Sequence, residues 1–235
     1  MQSSSYIAPP LLDGVVTFLD VLGWKGVYNR ISNATVQLSV LVDGLRNEGE
    51  KQRGKVQGEV QVRSISDTIA IFTKCDIEEA SIAINIHGEL ANWAILNSIQ
   101  AEIPVRGAIS FGEFAIQDNI FIGKAVDEAA AWHEHADWIG VHLTPSAEFI
   151  FQNDKTSKTW VTYTPPNKRR LTWKPHCVNW TANWSNRTEE IIKLKEKFLR
   201  LGPIVPDIAF KLTNTLSFID ATNTQPRRRW FNIFE

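Results

Sequence analysis

The sequence is poor in cysteine and in net charge, and each shortage closes off a class of protein. Its two cysteines, Cys75 and Cys177, form no metal-binding spacing. Neither a disulfide framework nor a zinc module is expected from them. Formal net charge is −1 over 235 residues, which gives no general attraction for nucleic acid or for a membrane surface. Any phosphate binding falls to local basic clusters. No run reaches transmembrane length, and residues 1–14 lack the cationic start and apolar core of a signal peptide. Internal repeats and low-complexity tracts are missing too. The expectation is a soluble, cytoplasmic protein with free thiols and with neither nucleic acid nor membrane as partner. What is present is 43% hydrophobic residues, enough for one large domain with an extension. Nine tryptophans, spread over both parts of the chain, read mainly as core and interface filler.

The stretch around which the chain is organised is Val15 to Lys25, VVTFLDVLGWK. A β-branched apolar run carries a single carboxylate, Asp20, and breaks at Gly23. Asp20 therefore falls near the end of a central strand. A lone charge there is costly unless a cation meets it; a metal ion would, although a plain helix cap is an equal reading of this stretch alone. The Gly23 turn and a helix starting near Trp24 would together present N–H groups to a phosphate. A second stretch, Glu59 to Lys74 (EVQVRSISDTIAIFTK), holds two alternating runs that meet at Ser64–Asp67. It reads as a hairpin with Asp67 at its turn. Paired beside the first strand, it brings Asp67 close to Asp20. Two carboxylates on neighbouring strand ends suit a divalent-cation site, magnesium or manganese, with phosphates completing the shell.

Along the rest of the chain, residues 1–14 read as an arm. Gly26 to Asn47 reads as a helix with Val27, Ile31, Val36, Val40 and Leu41 on its apolar face. Ile77 to Glu102 is a long amphipathic helix; its His87 is expected at the surface or capped, with no role. Strands are expected over Val105–Ala115, Ile120–Ile122 and Trp138–Leu143, and helices over Ala125–Ala136 and from Thr144–Pro145. The order defines an α+β sandwich, with helices over a mainly antiparallel sheet. After Asp154 the character changes. Lys158–Thr164 alternates like a strand, Lys168–Arg169–Arg170 is a basic run of the kind usual in solvated turns, and Thr172–Trp184 reads as extended. Thr188–Leu201 is helical, Phe210–Phe218 fits helix or strand, and the tail holds Arg227–Arg228–Arg229. The division is an arm (1–14), a catalytic domain (15–153), and an extension (154–235) packing on the core or on a second subunit.

Four motifs in order resemble the class III nucleotidyl cyclases. Phe18, Asp20, Gly23 and Trp24 match F-x-D-I-x-G-F-T, with Lys25 replacing Thr. Asp67 matches the Asp of K-x-x-G-D, with Ser66 replacing Gly. PVRGAISFGE, from Pro104 to Glu113, is similar to the strand R-x-G-I-x-x-G, and GKAVDEAAAW, from Gly123 to Trp132, is similar to the helix G-x-x-V-N-x-A-x-R. The third motif looks most like the bacterial antiphage Pycsar pyrimidine cyclases. The resemblance spans Val15 to Ile150 and implies a ferredoxin-like cyclase core, a homodimer with shared active sites, and a separate effector protein that reads the cyclic nucleotide.

The resemblance also implies roles. Asp20 and Asp67 would hold the two metals. Leu22, Gly23 and Trp24 would cradle phosphates, with Lys25 an added cation. Asp127 stands at the ribose-orienting Asn, while Ala131 stands where the family has its arginine and supplies no charge. Arg106, Lys124 or a basic residue of the tail would substitute; Arg106 serves equally as the partner of a carboxylate such as Glu113. His133 and His135 flank Glu134 but, two residues apart, point to different helix faces and do not share a metal. The two base-facing positions fall on Arg63 and Ile120. A guanidinium favours the uracil O4 carbonyl over an exocyclic amine, and Ile120 offers no acceptor to adenine. UTP is thus the expected substrate and cyclic UMP the product, with CTP and cyclic CMP second. An Arg63–Glu59 surface pair would remove that role. The alternatives are an adenylate cyclase and a degenerate cyclase fold serving as a regulatory binding module; the hairpin carries no GGDEF-like signature.

Overall fold

The computed structural model describes residues 9–152, 157–168, 172–200 and 205–224. Most of the expected N-terminal arm, Arg169–Arg170 and Arg227–Arg229 lie outside the described residues. An eight-stranded sheet organises the chain. Its centre is β1, Leu12–Val21, paired antiparallel on one side with β3, Thr68–Lys74, and on the other with β4, Val105–Gln117. β2, Val60–Ile65, forms a hairpin with β3 at one edge. β6, Val141–Leu143, runs parallel to β4, and β5, Ile120–Ile122, folds back on the far end of β4.

β1 is apolar without alternation because both of its faces are covered. Val15 and Leu19 face a layer made by α1, Ala34–Glu50, and α2, Ile77–Gln100, packing there with Leu41, Leu45, Ile84 and Leu90. Val16 and Phe18 face α3, Lys124–His135, and pack with Ala125, Val126 and Ala129. Each fully buried aliphatic side chain in these layers contributes about 1.5–3 kcal/mol.

Three local expectations change. Gly23 and Gly26 take left-handed φ values of 73° and 76°, a conformation that suits glycine and interrupts a helix. Only a short turn follows at Val27–Asn29, and α1 begins at Ala34. No helix N-terminus therefore stands behind Gly23. The buried face of α1 is Leu38, Leu41, Val42 and Leu45, whereas Val36 and Val40 are exposed. His87 is wholly buried: its ring joins Thr17 Oγ1 at 2.6 Å and Thr73 Oγ1 at 2.9 Å. The periodicity of α2 placed His87 correctly on the helix but could not reveal two threonines waiting beneath it.

The extension continues the core. After α4, Pro145–Ile150, come β7, Trp160–Thr162, and β8, His176–Val178; β8 pairs with β6 through His142 and Cys177, and β7 pairs with β8. β7 is shorter than its alternating stretch and β8 shorter than its extended one, as is β6 against its expected strand, whose approach residues Trp138 and Ile139 are core packing. α5, Arg187–Arg200, buries Leu194 and Phe198. α6, Pro206–Thr224, resolves the ambiguous Phe210–Phe218 stretch as helix. Phe218 meets Trp138 edge-on at 4.6 Å, and Thr215 Oγ1 accepts the Ile139 amide at 2.9 Å. Among the described residues, no helix is long and apolar enough to cross a membrane.

Candidate active site

Asp20 is the penultimate residue of β1, opposite Thr68 on β3 and Arg106 on β4. Asp67 occupies the tight turn between β2 and β3, beside Ser66 with its left-handed φ of 55°. The Val21 amide donates to the Asp67 carbonyl at 3.1 Å, which fixes the hairpin turn to the end of β1. The two carboxylates thereby line one pocket of about 370 Å³, together with Phe18, Arg106, His133 and Lys168.

Arg106 organises the floor of this pocket. Its Nε and Nη2 both lie 3.0 Å from Asp20 Oδ2, and its Nη1 donates to the Ala136 carbonyl at 2.7 Å and the Glu134 carbonyl at 3.3 Å. The expected alternative partner, Glu113, instead pairs with Lys124 at 2.9 Å. Glu113 and Arg106 are on the same strand, opposite Asp13 and Asp20 respectively. At about 3.3 Å per residue they sit some 20 Å apart or more. Lys124 accordingly lies at the other end of the ladder and adds no charge to this chain's pocket.

His133 is buried beside Asp20 and Arg106, with its ring edge-on to Phe18 at 5.9 Å. Its Nδ1 lies 3.2 Å from the Ala129 carbonyl. A carbonyl only accepts, so Nδ1 carries the proton and Nε2 is left as an acceptor. Burial holds its pKa below the usual histidine value, with Asp20 opposing that shift. Lys168 arrives from the β7–β8 connection. The Lys168 amide donates to the His135 carbonyl at 3.1 Å and the Asp137 amide to the Pro166 carbonyl at 3.0 Å, so the segment is tied to the end of α3. Neither His133 nor Lys168 stood out as a pocket residue in the sequence. His133 was weighed only as half of a histidine pair, and Lys168 only as part of a solvated run.

The other expected site residues lie outside the pocket. The Leu22 amide donates to the Pro104 carbonyl at 2.8 Å, and the Gly23 carbonyl accepts from the Arg30 guanidinium. Trp24 and exposed Lys25 border a separate hollow of about 350 Å³ with Tyr28 and Ile31. Arg63 stands opposite Ala70, on the face of the sheet that carries Phe18 and Asp20; its guanidinium donates to the Val62 carbonyl at 3.2 Å. Glu59 pairs with Arg53 at 3.3 Å rather than with Arg63. Ile120, Asp127 and Ala131 are exposed on β5 and α3.

Among the described residues, no group of three or more His, Cys, Asp or Glu is gathered closely enough to hold a metal. The protein side offers two carboxylates. Hard oxygen donors of this kind fit magnesium or manganese when waters and phosphates complete the shell.

No protein-family model and no curated protein matches the chain. In structure it is similar to the guanylyl cyclase Cya2, at a TM-score of 0.50 and 9% identity over 73% of this chain and 93% of that one. It is also similar to the catalytic core of a rhodopsin-guanylyl cyclase with converted specificity in complex with ATPαS. There the TM-score is 0.50 and identity 15%, over 72% of this chain and 95% of that one. The chain thus has the fold of nucleotidyl cyclase catalytic cores, with Asp20 and Asp67 at the edge of its central strands.

Proposed function

We propose that the protein is a nucleotidyl cyclase that converts UTP to 3′,5′-cyclic UMP and pyrophosphate. The observation that carries the proposal is the meeting of Asp20 and Asp67, distant in sequence, in one pocket of a cyclase fold. In the reaction a bond forms from the ribose 3′-oxygen to the α-phosphorus, the bond from the α-phosphorus to the bridging oxygen breaks, and pyrophosphate leaves. The 3′-hydroxyl proton passes to solvent. Two divalent cations held by Asp20 and Asp67 would acidify that hydroxyl and stabilise the leaving oxygens. Arg106 orients Asp20 through its paired guanidinium, and exposed Lys168 lines the same pocket and would meet the triphosphate.

A second copy of the chain supplies the remaining groups in this reading. Exposed Ile65, Ile120 and Ile122 offer apolar surface for it, and Asp127 of α3 orients the ribose. Arg63 and Ile120 face the base: the guanidinium donates to the uracil O4 carbonyl and repels the amine of cytosine or adenine. An antiphage role, in which the cyclic nucleotide reaches a separate effector protein, is supported by the resemblance of Pro104–Glu113 to the Pycsar cyclases. Incubating purified protein with each of the four nucleoside triphosphates and Mn²⁺, with products identified by mass spectrometry, tests the proposal. Cyclic UMP as the main product is expected. A purine product refutes the base assignment, and no cyclic product from any of the four refutes the activity. Ala131, which leaves α3 without the family arginine, favours a second reading, a nucleotide-binding regulatory module. That reading expects nucleotide binding with no product.

A further inference from the structure

Arg106 is too well anchored to be only a free cation awaiting substrate. All three of its guanidinium nitrogens are engaged: two with Asp20 Oδ2, and the third with the Glu134 carbonyl in the last turn of α3, the negative end of that helix, and with the Ala136 carbonyl just beyond it. The side chains of the pair are only 11% and 17% exposed. A divalent cation approaching the free protein therefore finds Asp20 already neutralised. Counting the lining charges, Asp20 and Asp67 give −2 and Arg106 gives +1, while Glu134 and Lys168 cancel. The net charge is −1, facing an ion of charge +2 beside a fixed guanidinium. A triphosphate changes this balance, because its anionic oxygens answer the metal and the guanidinium together.

We propose that Arg106 is a resident counter-ion that keeps Asp20 a poor cation ligand until a triphosphate is present. Metal and nucleotide then bind cooperatively, each raising the affinity for the other by the same factor. The inference rests on the metal-site reading of Asp20 and Asp67, but it concerns binding and needs no turnover. It also distinguishes Arg106 from an ordinary structural arginine, whose loss would only weaken the site.

The test is Mn²⁺ binding to the full chain without nucleotide, followed by the electron paramagnetic resonance signal of free Mn²⁺. Three proteins are compared: wild type, Arg106→Met, which removes the charge but keeps much of the stem, and Arg106→Lys, which keeps the charge. Arg106→Met is expected to bind Mn²⁺ about tenfold more tightly than wild type, the factor that corresponds to about 1.4 kcal/mol. Arg106→Lys should stay within about threefold of wild type. Circular dichroism shows whether each variant is folded. If Arg106→Met is not, wild type against Arg106→Lys with a second neutral variant, Arg106→Gln, carries the comparison. In a companion titration, a fluorescent UTP analogue with an α,β-methylene bridge is bound with Mg²⁺ and again with EDTA. Its affinity should depend on Mg²⁺ at least about tenfold more in wild type than in Arg106→Met. Equal or weaker Mn²⁺ binding by a folded, charge-free variant overturns the proposal, as does equal Mg²⁺ dependence in both proteins. Intact coupling without any cyclic product would instead refute the cyclase reading and leave this inference standing.

Discussion

The two ends of the β1–β4 ladder carry the same kind of interaction in opposite settings. At one end Arg106 meets Asp20 with side chains 11% and 17% exposed; at the other Lys124 meets Glu113 at 85% and 43%. The buried pair is backed by the Glu134 and Ala136 carbonyls, shares a pocket with Asp67, and leaves an uncompensated charge if one partner is lost. The exposed pair is screened by water and contributes little. One strand thus holds a buried ion pair lining a pocket at one end and a solvent-exposed pair at the other. In the proposed dimer, the second end, with Ile120 and Asp127, serves the pocket of another copy.

The largest expected effect separates the two ends by activity. Asp20→Asn keeps an acceptor for Arg106 yet removes the charge, and Asp67→Ala removes the other carboxylate. Each should lower cyclic-nucleotide formation at least about a thousandfold, with an unchanged circular dichroism spectrum. Turnover near wild type in either variant would dissociate the pocket from the reaction.

Subunit mixing then tests whether the ends meet. Asp67→Ala and Asp127→Ala proteins should each be inactive alone. After exchange, half of the dimers are mixed and hold one intact site each, so about a quarter of wild-type activity should return. No recovery after verified exchange, or a monomer in sedimentation, would confine the site to a single chain.

Stability sharpens the contrast. Arg106→Met should cost about 3 kcal/mol, at the low edge for a broken buried pair because the pocket admits water. That corresponds to a melting temperature lower by about 6–12 °C. Lys124→Ala should leave it within about 1 °C of wild type. Equal shifts for both variants would mean that burial does not distinguish the two pairs. A smaller effect belongs to Lys168: Lys168→Ala should raise the KM for the triphosphate by about 3–10-fold with little change in kcat, as befits a cation lining the pocket away from the reacting atoms.

An effect confined to low pH lies between the ends, at Thr17. Burial pushes His87 down to about 3, from 6.5. The unfolded chain therefore binds the proton more readily than the folded one, and stability falls as pH drops below about 6.5 towards 3. The melting temperature should decline over that window, less steeply in a folded His87→Gln variant. Identical slopes would place the acid sensitivity elsewhere.

How legible was this molecule in its sequence? Asp20 and Asp67 were legible because each ends a strong β-branched run, and short-range patterning fixes strands and hairpins. α2 and α3 were legible for the same reason, through their helical periodicity. The Arg106–Asp20 pair was not. It depends on the register between β1 and β4, set by distant packing, and Glu113 was an equally charged partner on paper. The late start of α1 turned on left-handed φ values at Gly23 and Gly26, which glycine permits without announcing. Lys168 was hidden because a basic run in a loop reads as solvated until a neighbouring helix end is known to hold it. β7 falls inside the alternating Lys158–Thr164 stretch and was legible, but β8 has three residues, too few to define a pattern, and its pairing with β6 depends on distant packing.

The most direct test of the central claim is a crystal structure grown with Mn²⁺ and α,β-methylene UTP, with anomalous scattering collected at the manganese edge. The account predicts manganese peaks bound by the carboxylates of both Asp20 and Asp67, with triphosphate oxygens completing the shell. Nucleotide bound with manganese at neither carboxylate, or at residues outside this pocket, would contradict it.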